Sequence, residues 1–222
     1  MAGTTRLKLY NAALRLVGSD RLDALTDDAE TRHLIDDVYD DDFIRTVLEA
    51  GLWNFAMRTQ ELTPETDVTT PFGYRNAFQK ATDWVRTAEI SGDEFFRAPH
   101  LSYQDEIDFI FSDFDKIWVR FVSDDTDWGG DLSRWPGSFQ DYAAAYLASQ
   151  IVHRLTSDKE RIALLITRRT GILDRALKNA RAKDAMKDAT QFLPTGSWVA
   201  ARGRRARRGP FGDGGVTGNL IG

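Results

Sequence analysis

Helical periodicity occurs near both ends of this chain and is missing from its middle, and this division constrains the fold more than any other feature. Residues 5–17 repeat apolar side chains at the spacing of one helix face, and Gly18 follows where a helix would stop. A second apolar stripe predicts another helix, capped by Asp28 and ending near Gly51. The positions of that second stripe are Ile35, Val38, Tyr39, Phe43 and Val47.

Two further helices are predicted from Gly137 onward. Residues 138–155 are rich in strong helix formers, and residues 157–158 separate them from another apolar stripe. That stripe extends over residues 159–189 and predicts a single helix in which Gly171 is a tolerated weak point. We expect the two helices to pack as an antiparallel pair.

The segment between Trp53 and Trp135 lacks helical periodicity. It contains prolines that break up helices and short runs of β-branched and aromatic residues. Residues 84–98 predict one β-hairpin. Residues 106–122 predict a second hairpin around a turn at residues 112–115. One face of the second hairpin should be apolar, and its members are Ile107, Phe109, Phe111, Ile117, Val119 and Phe121.

These patterns together predict an α+β fold. Residues 1–57 and 134–190 should form one antiparallel helical bundle, and residues 58–133 a small antiparallel β-rich domain inserted between them. Residues 191–222 have no sustained periodicity and are expected to form an extended basic C-terminal arm.

The C-terminal arm differs from the rest of the chain in charge. It carries five arginines against Asp213 alone, a formal charge of +4, and the total of −5 therefore leaves −9 for residues 1–190. The arginines have three open interpretations: bidentate contacts to an acidic protein surface, neutralisation of nucleic-acid phosphates, or a solvated tail without a defined contact. Aromatic and apolar residues in the arm are suited to anchoring it on a neighbouring surface. The predicted docking residues are Phe192, Leu193, Trp198, Arg202, Arg204, Arg205, Arg207, Arg208 and Phe211.

Acidic residues cover the other face of the second predicted helix. The simplest interpretation is a solvated face. The alternative is the acidic wall of a channel, where like charge would repel a DNA backbone and let it slide without sticking. The candidate channel-facing acids are Asp36, Asp37, Asp40 and Asp41, and Asp42 follows them.

Several kinds of chemistry lack their sequence signatures. The absence of cysteine excludes disulfides, thiolate metal sites and cysteine nucleophiles. There is no Gly-Lys-Ser/Thr phosphate loop, no helical pair of histidines for zinc, and no apolar run long enough to span a membrane. The acidic loop at residues 123–131 does not keep the register of a calcium-binding EF-hand. We therefore expect no enzymatic activity, no cofactor and no bound metal.

Four parts of the chain carry a family resemblance. They are the opening LYNAALRLVGSDRLDALTDD with YDDDFIRTVLEAGLWNFA, the strand-like ATDWVRTAEI, the paired helices beginning FQDYAAAYLASQIVHRLT, and the C-terminal LPTGSWVAARG. Together they span nearly the full length, and in their order and the position of the β-rich insertion the chain resembles the tail tubular protein A family. The members of this family are the head-to-tail adaptors of podoviruses.

The resemblance implies a non-enzymatic virion protein, one subunit of a ring of twelve that assembles in the host cytoplasm and attaches under the portal protein. The helical bundle would make the ring, the arm would reach the portal or a neighbouring subunit, and the lumen would pass DNA without sequence-specific binding. Residues 58–133 would face the tail nozzle and the tail fibres. The arginine cluster and the final GPFGDGGVTGNLIG depart from the family, so no specific contacts of the arm are carried over.

The alternative function is a nucleic-acid-binding protein that holds DNA with its arginine-rich tail. The acidic body argues against a dedicated DNA-binding domain, which usually presents a basic face. A lytic enzyme is a third interpretation, but the sequence does not single out a catalytic pair among its 34 acidic residues.

Overall fold

The structure, a computed structural model, describes residues 5–70, 73–97 and 102–187. Over these residues the chain has an α+β fold, in which helices precede and follow two small three-stranded antiparallel sheets. The helices are α1 (Arg6–Val17), α2 (Glu30–Asp40), α3 (Phe43–Glu49), α4 (Gly137–Leu155), α5 (Lys159–Ile166) and α6 (Ile172–Ala185). The strands are β1 (Met57–Leu62), β2 (Asn76–Gln79), β3 (Trp84–Ser91), β4 (Gln104–Asp105), β5 (Phe109–Ser112) and β6 (Ile117–Ser123).

Helix α1 begins and ends where the sequence predicts. The Thr5 side chain accepts a hydrogen bond from the backbone N–H of Lys8, which satisfies one of the free donors at the helix start. At the other end Gly18 has a left-handed backbone with φ of 80°, and its N–H donates to the carbonyl of Leu14. A residue with a Cβ would be strained at this φ, so the stop depends on glycine.

The second predicted helix is broken in two, which corrects the expectation of one helix up to Gly51. Helix α2 ends at Asp40, Asp42 has a left-handed backbone with φ of 51°, and α3 starts at Phe43. Consecutive aspartates are poor helix formers, and aspartate is among the few residues that tolerate the left-handed conformation. Asp28 does not cap α2, because Ala29 occupies the N-cap position without a side-chain hydrogen bond.

The last predicted helix is also broken, into α5 and α6. The N–H of Gly171 donates to the carbonyl of Thr167 at 2.7 Å, and Arg169 between them has φ of 70°. A Cβ at Gly171 would lie 2.8 Å from the carbonyl oxygen of Leu165. Gly171 therefore permits a tight turn between two helices, and the interpretation as a tolerated weak point inside one helix is wrong.

Strand pairing differs from the predicted hairpins. Strand β6 is the centre of one sheet, between β1 and β3, and β5 is the centre of the other, between β2 and β4. β5 and β6 therefore do not pair, and residues 94–97 after β3 form no strand. The apolar face of β6 is as predicted, but Ile107 is 92 % exposed. The hairpin expectation failed because β6 pairs on both edges with strands that are distant in sequence.

Two hydrophobic clusters hold the fold together. The first, called the helical cluster, joins α1, α2, α3, α4, α5 and α6 and includes Val122 from β6. Alanines on α4 keep the neighbouring helices close, since Ala143, Ala144 and Ala148 are all buried. The second, called the sheet cluster, consists of Leu62, Phe78, Trp84, Ile90, Ile110, Ile117, Val119 and Phe121.

Candidate interaction surfaces

A network of charged side chains joins α1 to α2. One guanidinium nitrogen of Arg6 donates to Asp36 at 2.7 Å and to Asp40 at 3.0 Å. The guanidinium carbon lies 4.2 Å from the ring centroid of Tyr39, within the range of a cation–π contact. The hydroxyl of Tyr10 also donates to Asp36, at 2.7 Å. These contacts fix the angle at which the C-terminal half of α2 meets the start of α1.

Asp36 is the centre of that network. Arg32, one turn earlier on α2, donates to the second carboxylate oxygen of Asp36 at 2.7 Å. Burial opposes ionisation of this carboxyl, but the hydrogen bonds from Tyr10 and Arg6, with the charges of Arg6 and Arg32, outweigh it and hold the pKa of Asp36 below its usual value. Burial and the neighbouring carboxylate raise the pKa of Tyr10, so its hydroxyl stays protonated and remains a donor.

The predicted solvated face of acids is therefore wrong for Asp36, whose side chain is only 21 % exposed. Asp40 is exposed but paired with Arg6. Asp37, Asp41 and Asp42 are exposed, and within the described ranges none of them forms an ion pair. These three residues, at the junction of α2 and α3, are called the acidic corner.

An open groove of about 750 Å³ runs along the outer side of α1. Among the residues that the structure describes, three basic side chains and no acidic one line it. The amide of Asn11 donates to the carbonyl of Leu22 at 2.9 Å and accepts its N–H at 2.8 Å, which holds the following loop against the helix. This surface is called the basic groove, and its lining residues are Leu7, Lys8, Asn11, Ala12, Arg15, Gly18, Ser19 and Arg21.

Another arginine lies at the C-terminal end of the basic groove. The Arg161 guanidinium donates to the carbonyl of Val17 at 2.8 Å and packs against Gly18, where any Cβ would collide with it. Helix C-termini carry partial negative charge, so a cation is stabilising there. The glycine that ends α1 thus also makes room for a positive charge from α5.

Sequence reasoning missed the basic groove, although a signal was available. Lys8, Ala12 and Arg15 are spaced by four and three residues, which places them on one stripe of α1. The prediction for α1 used only its apolar stripe and did not use these polar positions. The loop residue Arg21 could not be assigned to the same surface without knowing the Asn11 contact.

Arginines join the helices to the sheet formed by β1, β6 and β3. Arg45 on α3 donates to the carbonyl of Trp84 at 2.6 Å and to the carboxylate of Asp124 at 3.3 Å. Burial raises the pKa of Asp124, and the charge of Arg45 offsets only part of that effect. Arg86 on β3 donates to the carbonyl of Glu49 at 3.1 Å. An arginine of a helix thus binds a strand carbonyl, and an arginine of that strand binds a helix carbonyl.

Large apolar side chains are exposed on the loops around the sheets. Phe95 is 62 % exposed and lies under the guanidinium of Arg97, while Phe114 packs on Gly92 and is 39 % exposed. Ile107 is almost fully exposed. Such residues are commonly found at contacts with other proteins.

The predicted docking arm, with Phe192, Leu193, Trp198, Phe211 and the five arginines, lies outside the described residues. Across the described part of the chain, no group of three or more histidines, aspartates or glutamates is placed to hold a metal ion, and no helix is long and apolar enough to cross a membrane. No protein-family model matches the chain, and no curated protein is significantly similar to it in sequence.

Proposed function

We propose that this chain is a structural protein of a short-tailed bacteriophage, an adaptor subunit that joins the portal protein to the tail nozzle. The observation that carries the proposal is the convergence of two of the resembling parts, the opening one and the one that begins on α4, on one core. Leu14 and Phe43 from the opening part and Phe139 from the part that begins on α4 are all buried in the helical cluster. Segments that are far apart in sequence thus form one structural unit.

The sheet region, which extends from β1 to β6 over residues 57–123, supports a second contact in the proposed assembly. It has its own apolar cluster and carries exposed Phe95 and Ile107 on its loops. A region with a separate core that presents apolar side chains to solvent suits docking to another protein. In the proposed adaptor, this region faces the nozzle and the tail fibres.

The remaining features of the proposal concern the assembled particle. The helices act as an antiparallel bundle that makes a ring of twelve, assembled in the host cytoplasm and incorporated into the virion. The arm at residues 191–222 docks on the portal or a neighbouring subunit. The lumen passes DNA; of the candidate channel acids, Asp37, Asp40 and Asp41 are exposed and Asp36 is enclosed.

Negative-stain imaging of purified chain mixed with its portal protein tests the proposal. The full chain should cap the portal rings, and a chain truncated after Thr190 should not. A matched variant with all five arm arginines changed to glutamine, but with the apolar anchors intact, separates charge from apolar docking. Portal rings that remain bare with the full chain would contradict the adaptor function.

The arginine-rich sequence at residues 202–208 favours one alternative, a nucleic-acid-binding protein. That function predicts DNA binding that weakens steeply with salt and is lost in the five-glutamine variant. Salt-sensitive DNA binding without any capping of the portal would replace the adaptor proposal with this alternative.

A further inference from the structure

The basic groove on α1 and the acidic corner between α2 and α3 are complementary surfaces of the same chain. We propose that the basic groove of one copy binds the acidic corner of a second copy. The contact itself follows from the described surfaces, whereas its role as the repeating contact of a ring rests on the proposed function.

The basic groove and the acidic corner of one copy cannot bind each other. Arg6 and Tyr10 point from α1 toward α2 and contact Asp36. Lys8 and Arg15 are exposed and lie on a different stripe of α1, which lines the groove. The groove therefore opens away from α2, and an acidic corner that reaches it must belong to another copy.

Charge identifies the occupant of the groove. Its lining offers Lys8, Arg15 and Arg21, of which Arg21 also pairs with Asp23 at 3.5 Å, and no acidic side chain of the described residues lines it. Arg161 adds positive charge at one end. The acidic corner offers three carboxylates, and no lysine or arginine occurs between residues 36 and 42. Guanidinium groups bind carboxylates with two parallel hydrogen bonds, so the arginines favour this geometry. Leu7 and Ala12 give the groove an apolar floor.

The contact joins two different patches, so it is a head-to-tail contact. Such a contact does not close on itself in a dimer of two-fold symmetry, and it generates a ring when the rotation between copies closes. Exposed ion pairs are individually weak and are screened by salt. One such contact should form transiently between free copies and persist only when many copies are held together.

Disulfide trapping detects a transient contact, and this chain suits it because it has no native cysteine. Ser19→Cys places a thiol in the basic groove, and Thr46→Cys places one on α3, one turn beyond the acidic corner. Both substitutions leave every charge in place. The two variants are mixed under mild oxidation, and formation of the mixed dimer is timed on gels, with and without portal protein.

The mixed dimer of Ser19→Cys with Thr46→Cys should form at least about tenfold faster than the mixed dimer of Ser19→Cys with the control variant Asp115→Cys. Asp115 is exposed on the turn between β5 and β6. Adding Arg15→Glu to the groove variant should slow trapping about tenfold. Adding Asp41→Arg to its partner should then restore the original rate to within about threefold.

Trapping no faster than with Asp115→Cys, or a rate that ignores Arg15→Glu, would overturn the proposal. Arg15→Glu that weakens DNA binding while leaving trapping unchanged would assign the groove to nucleic acid instead. The portal test is independent of the trapping test. If the disulfide forms but the portals stay bare, the contact between copies stands and the adaptor function is contradicted. If the portals are capped but no disulfide forms, the adaptor function stands and the contact between copies is contradicted.

Discussion

The helical region and the sheet region of this chain bury their apolar residues in different ways. The helical cluster gathers side chains from α1 to α6 around the alanine-rich α4. The sheet cluster contains eight buried residues in the described part of the chain, and large apolar side chains remain exposed on the surrounding loops. In the proposed adaptor this difference corresponds to a division of tasks, in which the helical region makes the ring and the sheet region offers apolar surface to the nozzle and the tail fibres.

Two partly buried carboxyl groups, one in each region, have pKa values shifted in opposite directions. Asp36 in the helical region is surrounded by Arg6, Arg32 and Tyr10, and its pKa is lowered despite burial. Asp124, at the end of the sheet, has Arg45 at 3.3 Å, and burial raises its pKa. Ionisation is thus stabilising at the α1–α2 contact and costly at the junction with the sheets.

The largest expected effect is the loss of Phe139, which is 1 % exposed and packs on Trp53 and Trp135. Phe139→Ala should lower the free energy of unfolding by about 3–5 kcal/mol, because it leaves a cavity in the helical cluster. Urea denaturation measures this, with the exposed Phe95→Ala as a control that should change stability by less than about 0.5 kcal/mol.

The same denaturation shows whether the two regions are independent. Val122 of β6 is buried in the helical cluster, and its neighbour Phe121 is buried in the sheet cluster. We therefore expect one cooperative transition in both wild type and Phe139→Ala, followed by far-UV circular dichroism and tryptophan fluorescence. Two separated transitions would show that the sheet region folds alone.

A smaller effect is expected at the α1–α2 contact. Asp36→Ala should cost about 1.5–3 kcal/mol, since it removes an acceptor from charged hydrogen bonds and leaves Arg6 and Arg32 close together. The matched control Asp37→Ala, on the exposed side of α2, should cost less than about 0.5 kcal/mol. Equal losses in the two variants would contradict the central role of Asp36.

The pH dependence sharpens the comparison of the two carboxylates. The folded pKa of Asp36 is lowered, so its contribution is complete above the unfolded value of about 3.9 and is lost as pH falls through the folded value. The difference in unfolding free energy between wild type and Asp36→Asn should stay constant from pH 7 to about pH 5 and shrink below about pH 4.

Asp124 should show the opposite slope. Its folded pKa is raised, so stability is complete below the unfolded value and is lost as pH rises through the folded value. Relative to wild type, Asp124→Asn should therefore gain stability as pH rises above about 4. Parallel slopes for the two variants would contradict the pKa directions assigned to them.

The smallest effect is expected on the surface of the sheet region. Lys116 lies 2.6 Å from Glu61 on the paired strand β1, and both side chains are nearly half exposed. Lys116→Ala should change the unfolding free energy by no more than about 1 kcal/mol, and by less in high salt. A loss as large as that of Asp36→Ala would remove the contrast between the two regions.

Local sequence signals predicted those elements whose ends depend on local chemistry. Helix α1 ends at Gly18 because glycine accepts the left-handed backbone there, and α4 follows Pro136 as expected from its composition. The mixed α and β content was predicted by the change in periodicity. The breaks at Asp42 and Gly171 were not, because those residues are also compatible with a continued helix and packing decides between the two.

Contacts between distant residues escaped prediction for a different reason. Asp36 and Arg6 are thirty residues apart, and nothing in the acidic run distinguishes the one carboxylate that becomes enclosed. Strand β6 pairs with Met57–Leu62 and with Trp84–Ser91, and an apolar strand pattern does not name its partners. The basic groove was predictable in part from α1, but its loop wall depends on Asn11.

Hydrogen exchange of the free chain compared with the portal-bound chain tests the division of tasks most directly. The account predicts added amide protection in α1 and around the acidic corner, with unchanged exchange in the loops that carry Phe95 and Ile107 until the nozzle protein is added. Protection confined to the sheet loops on portal binding, with α1 and the acidic corner unchanged, would contradict it.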